Sequence, residues 1–233
     1  VALTTEEVFA APHDHVVQFY GHDDELADGV VPFLAEAVRA GGVAIAITTR
    51  AHRRLFTERL AAAGIDVAAA EAAGALQRLD ADEAAAALLI DGRLAPHRFD
   101  KVVGDRVRAA AARRGPVRAY GEIVARLWAA GHVTGALELE GLWNGLGLEV
   151  DFDLYCAYPL AAVEGEGDAN AFHEVCRRHS AVVGAPDAIR SGVALPRLGE
   201  TPLELVRTFV RDGRGPTGAR RFVADTLTAW GRA

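Results

Sequence analysis

Three groups of polar residues in this sequence have the types and spacing to do chemistry. The first is His15-Val16-Val17-Gln18-Phe19-Tyr20-Gly21-His22-Asp23-Asp24, where imidazole, amide, phenol and carboxylate groups crowd onto an otherwise apolar run. Alternation along a strand puts His15, Val17 and Phe19 on one face and Val16, Gln18 and Tyr20 on the other. Polar groups on both faces of a buried strand must be satisfied, either by neighbours or by a ligand at the strand end. A capped helix with a hydrogen-bonded tyrosine and histidine accounts for the block equally well. The second group is Tyr120-Gly121-Glu122, followed by Trp128, Glu138, Glu140, Trp143 and Asn144. A carboxylate at a strand end serves as ligand, base or hydrogen-bond acceptor, while core packing is the stronger reading of the two tryptophans. The third is Cys156 together with His173 and Cys176-Arg177-Arg178-His179. Cys-x-x-His on a helix shares one face and offers two soft ligands for a metal or haem iron, or a thiolate beside an imidazolium. Buried structural cysteine is the blander alternative, and zinc sites normally need four ligands.

The elements that must position these groups follow from hydrophobic patterning. His15–Tyr20 reads as a first strand, and Asp23 or Asp24 as the cap of a helix bearing Leu26, Val30, Phe33, Leu34 and Ala37 on one face. Pro32 is expected to kink that helix or restart it. Gly41-Gly42 ends it, and Val43–Thr48 is a strand buried on both faces. Thr49 precedes a helix through Ala63, with Gly64 closing it. Further strands are expected at Ala75–Leu79, Val117–Tyr120 and Phe152–Tyr158. Helices are expected after Asp80 or Asp82, over Pro96–Arg114, Glu122–Ala130, Val133–Leu146 and Ala171–Val183. Alternating strands and helices predict an α/β fold with a mainly parallel sheet flanked by helices and right-handed crossovers.

Beyond Gly184 the texture changes to Gly- and Pro-rich chain. The expected organisation is an N-terminal tail over 1–12, one domain over 13–183, a linker with a short helix over 184–218, and an amphipathic helix over 219–233. Val163–Asn170, containing Glu-Gly-Glu-Gly-Asp, reads as an acidic solvated loop. At 51% hydrophobic residues the chain supports a core, and a formal charge of −7 argues against a nucleic-acid surface. Val1–Pro12 lacks the pattern of a signal peptide, and Ala84–Ile90 is far too short to span a membrane. The expectation is a soluble, cytoplasmic protein with no direct contact to nucleic acid or membrane. There is no Gly-x-Ser-x-Gly, no His-Glu-x-x-His, no Walker A and no dinucleotide fingerprint.

His15-Val-Val-Gln-Phe-Tyr20, Tyr120-Gly-Glu122, Leu127-Trp128, Leu137-Glu-Leu-Glu140 with Leu142-Trp-Asn144, Leu154-Tyr-Cys-Ala-Tyr-Pro159 and Phe172–Ser180 together resemble the MEDS domain, the methanogen/methylotroph sensory domain named with DcmR-type regulators. The resemblance covers about residues 16–180. It implies a RecA/KaiC-like fold without a functional phosphate loop and a role in sensing small organic molecules. The positions it carries over are His15, Gln18, Tyr20, Glu122, Trp128, Glu140, Trp143, Cys156, Tyr158, Cys176 and His179. Residues 219–231 also resemble the first helix of anti-sigma-factor serine kinases with a GHKL-type ATPase fold, whose ATP-binding boxes are absent from this sequence.

Together these readings predict a signal-input domain that binds a small ligand and biases an attached or partner anti-sigma kinase or sigma-regulatory protein. Candidate ligand-binding residues are His15, Gln18, Tyr20, His22, Tyr120, Glu122, Trp128, Glu140, Trp143 and Tyr158. Candidates for holding a metal or haem are Cys156, His173, Cys176 and His179. The cofactor is left open between a small organic molecule and a metal or haem, and a homodimer is compatible with the sequence. Two alternatives stand beside this: an enzyme using Cys176–His179 or Glu122, and a ligand-free adaptor docking through Phe222 and Trp230.

Overall fold

The computed structural model describes residues 14–163 and 169–184. The expected N-terminal tail, the acidic stretch 164–168, the linker helix and the C-terminal helix 219–233 lie outside the described residues. Elements in chain order are β1 (His15–Tyr20), α1 (Asp23–Arg39), β2 (Val43–Thr48), α2 (Arg50–Ala62), α3 (Val67–Ala72), β3 (Leu76–Asp80), α4 (Ala81–Leu88), β4 (Leu89–Ile90) and β5 (Arg93–Leu94). They continue with α5 (Pro96–Phe99), which passes through a π turn at Asp100–Gly104 into α6 (Asp105–Ala111). Then come β6 (Val117–Gly121), α7 (Ile123–Ala129), α8 (Val133–Glu149), β7 (Asp153–Pro159), α9 (Leu160–Val163), α10 (Ala169–Arg178) and β8 (Ala181–Val183).

Six strands form one sheet in the order β3-β2-β6-β7-β1-β8, and every neighbouring pair is parallel. Helices α1–α3 pack their apolar residues on one face and α4–α10 on the other. Connections stepping one way along the sheet lie on the first face and those stepping back lie on the second, as uniform crossover handedness requires. Both faces are therefore covered, which is why β1 and β2 are buried at every position. The connections leaving β2 and β6 part in opposite directions. That opens a crevice at the carboxyl ends of these two neighbours, the switch point where α/β sheets usually take ligands.

Several local expectations are corrected. The cap position of α1 is His22, with Asp23, Asp24 and Glu25 filling the first turn, where acids complement the helix dipole. Glu25 reaches back to accept the Gly21 N–H at 2.9 Å. Pro32 lies inside a continuous α1, because it faces solvent beside exposed Asp28, whose freed carbonyl water can satisfy. The helix predicted over Pro96–Arg114 ends at Ala111 and carries a π turn. The helix predicted over Ala171–Val183 stops at Arg178, and Ala181–Val183 pairs with Val16–Gln18 as a sixth strand. There Ser180 donates its N–H to the His15 carbonyl at 2.7 Å, and β-branched Val182 and Val183 suit the extended chain. The β4–β5 hairpin turns on Asp91-Gly92, both at positive φ (49° and 73°) as a tight primed turn requires. Among the described residues no helix is long and apolar enough to cross a membrane.

The entries to β2 and β6 are pinned where Val43 donates to the Pro116 carbonyl. A Cβ at Gly42 would lie 1.9 Å from that oxygen. Gly42→Ala is expected to lower unfolding free energy by more than about 2 kcal/mol in urea titrations. Gly145→Ala, mid-helix with open space around it, is expected to raise it by about 0.5–1 kcal/mol.

Candidate functional site

The structure sorts the predicted residues into two polar clusters, at opposite ends of β1 and on opposite faces of the sheet. At the switch point the centre is Glu122, which leaves β6 with its N–H bonded to the Ile47 carbonyl of β2. Its side chain accepts from the Thr49 N–H (3.2 Å), the Tyr120 hydroxyl (3.2 Å) and His52 Nδ1 (2.9 Å). Thr49 is the N-cap of α2, so the Glu122 carboxylate occupies the position where a helix start attracts an anion. His52, one turn into α2, spans from Glu122 to Asp23, whose Oδ1 lies 3.2 Å from Nε2. Tyr20 completes the group, its ring edge-on to His52 at 6.1 Å.

Burial works against a charge on His52, but hydrogen bonds and attraction from Glu122 and Asp23 outweigh it and raise its pKa. Burial, reinforced by Glu122, pushes the phenols of Tyr20 and Tyr120 up, so both remain hydroxyl donors. Beside this cluster is a shallow open depression of about 470 Å³. Its lining includes Gly21, His22, Asp23, Asp24, Arg54 and Glu58. Phosphate-binding proteins place a glycine-rich loop and a lysine after the equivalent strand. Here two aspartates stand at that helix start, and their charge repels phosphate.

The second cluster lies under α8. Glu140, with no solvent exposure, accepts the Tyr158 hydroxyl at 2.9 Å and faces His15 Nε2 at 3.2 Å and His179 Nε2 at 3.5 Å. Cys156 Sγ on β7 is 3.3 Å from His15 Nε2 and 3.6 Å from Glu140. Burial alone would raise the Glu140 carboxyl; the imidazoles of His179 and His15 and the Tyr158 hydroxyl overcome that and pull it down. Burial and the neighbouring His15 keep the His179 imidazole neutral, with its pKa near 4.

The remaining predicted residues make no hydrogen bond to Glu122 or Glu140. Gln18 accepts from the Tyr155 hydroxyl and donates to the Glu25 carbonyl, each at 3.0 Å, tying β1 to α1. Trp128 donates to the Ala162 carbonyl and stacks edge-on to Tyr158; Trp143 packs against Phe99 and Phe152. His22 lines the depression, and His173 rests edge-on to Phe172. Cys176 is buried separately, so the Cys176–His179 pairing gives way to one between His179 and Cys156. The helix ends at Arg178, and His179 turns inward. His52 is the residue sequence reasoning missed; its signal was a position three residues after the Thr49 cap, following a buried strand.

A family model for the methanogen/methylotroph DcmR sensory domain matches residues 14–180, spanning both clusters. The chain belongs to the MEDS family. No curated protein matches it. A MEDS domain is a sensory module, and neither thiol here has the electropositive, accessible setting of a nucleophile. Burial pushes the Cys176 thiol up to about 12, and burial with Glu140 pushes Cys156 well above its ordinary value.

Two outcomes follow. Both thiols are expected to resist a neutral thiol reagent in the native protein and react fully in denaturant; a fast native reaction of either contradicts this burial. His52 contributes stability that is full below its ordinary pKa of 6.5 and is lost as pH rises through its higher folded value. The groups facing it are Glu122, Asp23, Tyr20 and Tyr120, with Arg126 near Tyr20. Melting temperatures across that range are expected to fall more steeply for the wild type than for His52→Gln.

Proposed function

We propose that this MEDS domain is a cytoplasmic signal input that binds a small neutral or cationic polar molecule, such as a polyol or amine, at the switch-point cluster. The observation that carries the reading is the Asp23–His52–Glu122 chain lying at the rim of the acid-lined depression. Its inner end is fixed, because Glu122 is buried and held by three donors. Its outer end is free to exchange, because the Asp23 side chain is 65% exposed. A ligand donor or cation entering the depression competes for Asp23, and a hydroxyl replaces Asp23 on His52. Such exchange repositions the start of α1, and Gln18 links that helix to the centre of β1. A ligand shifts a two-state domain only by binding one state more tightly.

The output we assign is an anti-sigma kinase or sigma-regulatory protein, attached or separate. The support is the resemblance of residues 219–231 to the first helix of such kinases. The alternative, a ligand-free adaptor, would dock through Phe222 and Trp230, which lie outside the described residues. Among the described residues the large exposed hydrophobics are Ile90 and Leu148.

Thermal-shift titration of the full chain with glycerol, choline, methylammonium, inorganic phosphate and ATP tests the reading. A polyol or amine is expected to raise the melting temperature, while phosphate and ATP leave it unchanged. Tyr20→Phe or His52→Gln is expected to weaken that binding by about tenfold, the worth of about one charge-assisted hydrogen bond. Stabilisation by phosphate or ATP, with none by polyols or amines, overturns the proposal.

A further inference from the structure

The cluster under α8 carries a second inference, independent of what binds at the switch point. We propose that His15 Nε2, His179 Nε2, Cys156 Sγ and Glu140 Oε2 form a closed four-ligand site for a divalent transition ion of the zinc class.

The hydrogen bonds around the two imidazoles fix where their lone pairs point. His179 Nδ1 lies 2.7 Å from the Val175 carbonyl, which can only accept, so that nitrogen carries the proton. Its Nε2 is then a bare lone pair, fully buried, without a hydrogen-bond partner, and aimed at Glu140. Asn144 donates through Nδ2 to the Arg178 carbonyl at 3.0 Å, so its Oδ1 accepts from His15 Nδ1 at 2.9 Å. His15 Nε2 is thereby also left as a lone pair facing Glu140 and Cys156. Two imidazole lone pairs and a carboxylate converging in a buried space repel one another unless a positive charge sits among them.

The spacing fits a metal. All four donor atoms lie within 4.8 Å of one another; three of the separations are 3.2 Å (His15 Nε2 to Glu140 Oε2), 3.3 Å (His15 Nε2 to Cys156 Sγ) and 3.6 Å (Cys156 Sγ to Glu140 Oε2), and His179 Nε2 lies 3.5 Å from the second carboxylate oxygen, Glu140 Oε1. Bonds of about 2.0–2.1 Å to nitrogen or oxygen and about 2.3 Å to sulfur give tetrahedral edges of about 3.3–3.7 Å. The partners beyond the donors are those such sites use: an amide on one histidine, a backbone carbonyl on the other, and a tyrosine hydroxyl on the carboxylate. Two imidazoles, a thiolate and a carboxylate suit zinc-class ions rather than calcium or magnesium. Binding releases the Cys156 proton, since a coordinating thiol is deprotonated outright. Four protein donors without an open position make a holding site, which fastens the α10–β8 segment to β1, β7 and α8.

The test uses the untagged full chain, stripped with chelator and titrated with Co(II), then Zn(II). One equivalent of cobalt per chain is expected, with intense tetrahedral d–d bands and a thiolate-to-cobalt charge-transfer band, displaced by zinc. The charge-transfer band is expected to vanish in Cys156→Ser and to persist in Cys176→Ser. Loss of metal is expected to lower the melting temperature and increase hydrogen exchange at residues 179–183. The wild-type spectrum decides the matter even where a variant folds poorly. Failure to take up either ion overturns the site, as does octahedral cobalt without the thiolate band. A ¹⁵N spectrum showing His179 Nε2 protonated in the presence of zinc, which marks a plain imidazolium–carboxylate pair, also overturns it. None of these outcomes depends on the glycerol or amine response.

Discussion

Glu140 brings a carboxylate to a place with no solvent, and such a charge loses several kcal/mol of hydration that its surroundings must offset. The groups that surround it come from three separate parts of the chain: His15 at the start of β1, Cys156 and Tyr158 on β7, and His179 after α10. Their meeting fixes more than a charge. Tyr158 is in turn packed by Trp128 and Phe19, so the polar cluster and the larger apolar core share a wall. Stripping the carboxylate of its partners would leave a buried charge unpaired, a cost of about 3–5 kcal/mol in comparable sites. The short strand β8 pairs along only three residues, and its attachment draws on this cluster through His179 and Ser180.

At the far end of the sheet the same problem is solved differently. Glu122 is also buried, but its compensation comes from a helix start, a backbone N–H, a phenol and one imidazole that reaches solvent-exposed Asp23. One carboxylate is locked from every side, while the other is held at the end of a chain that opens to water. The topology explains the difference. The connections of β2 and β6 diverge above Glu122 and leave a crevice, whereas α8 and α10 both cover Glu140. A locked site suits holding and an open-ended one suits exchange with a ligand.

Much of this was legible in the residues. Apolar runs bounded by glycine, proline and cap residues placed β1, β2, β6 and β7, and alternation assigned the two faces of β1 correctly because period-two geometry is strict. Less was legible about which polar residues meet. Glu122 and Glu140 read as one group because they are close in sequence, yet α7 and the turn into α8 carry Glu140 to the opposite face. Cys-x-x-His read as a helical pair because its spacing fits one. The helix stops one residue earlier than that requires, and only the three-dimensional pairing of Ser180 with His15 reveals the stop. The place of His52 three residues after the Thr49 cap was its one local signal, and its partner Glu122 lies 70 positions away, where spacing gives no guide. The Asp91-Gly92 hairpin went unread, although its dipeptide is the kind that favours a tight primed turn.

The two clusters also share an element. β1 is six residues long, paired on both edges, with His15 at its first position and Tyr20 at its last. A strand held this way moves as a unit: a one-residue slip would turn His15 and Gln18 onto the wrong faces and unpair both carboxylates' neighbours. What remains available is a small displacement of the elements fastened to its ends, α1 beside Tyr20 and the α10–β8 segment beside His15. The proposed exchange at Asp23 would act on the first. The contacts of His179 and Ser180 keep the second from yielding independently, so β8 follows β1. The locked carboxylate therefore gives the domain a fixed end and the open one a yielding end, and the proposed input needs both, because a domain that yields at both ends has no fixed frame against which to signal.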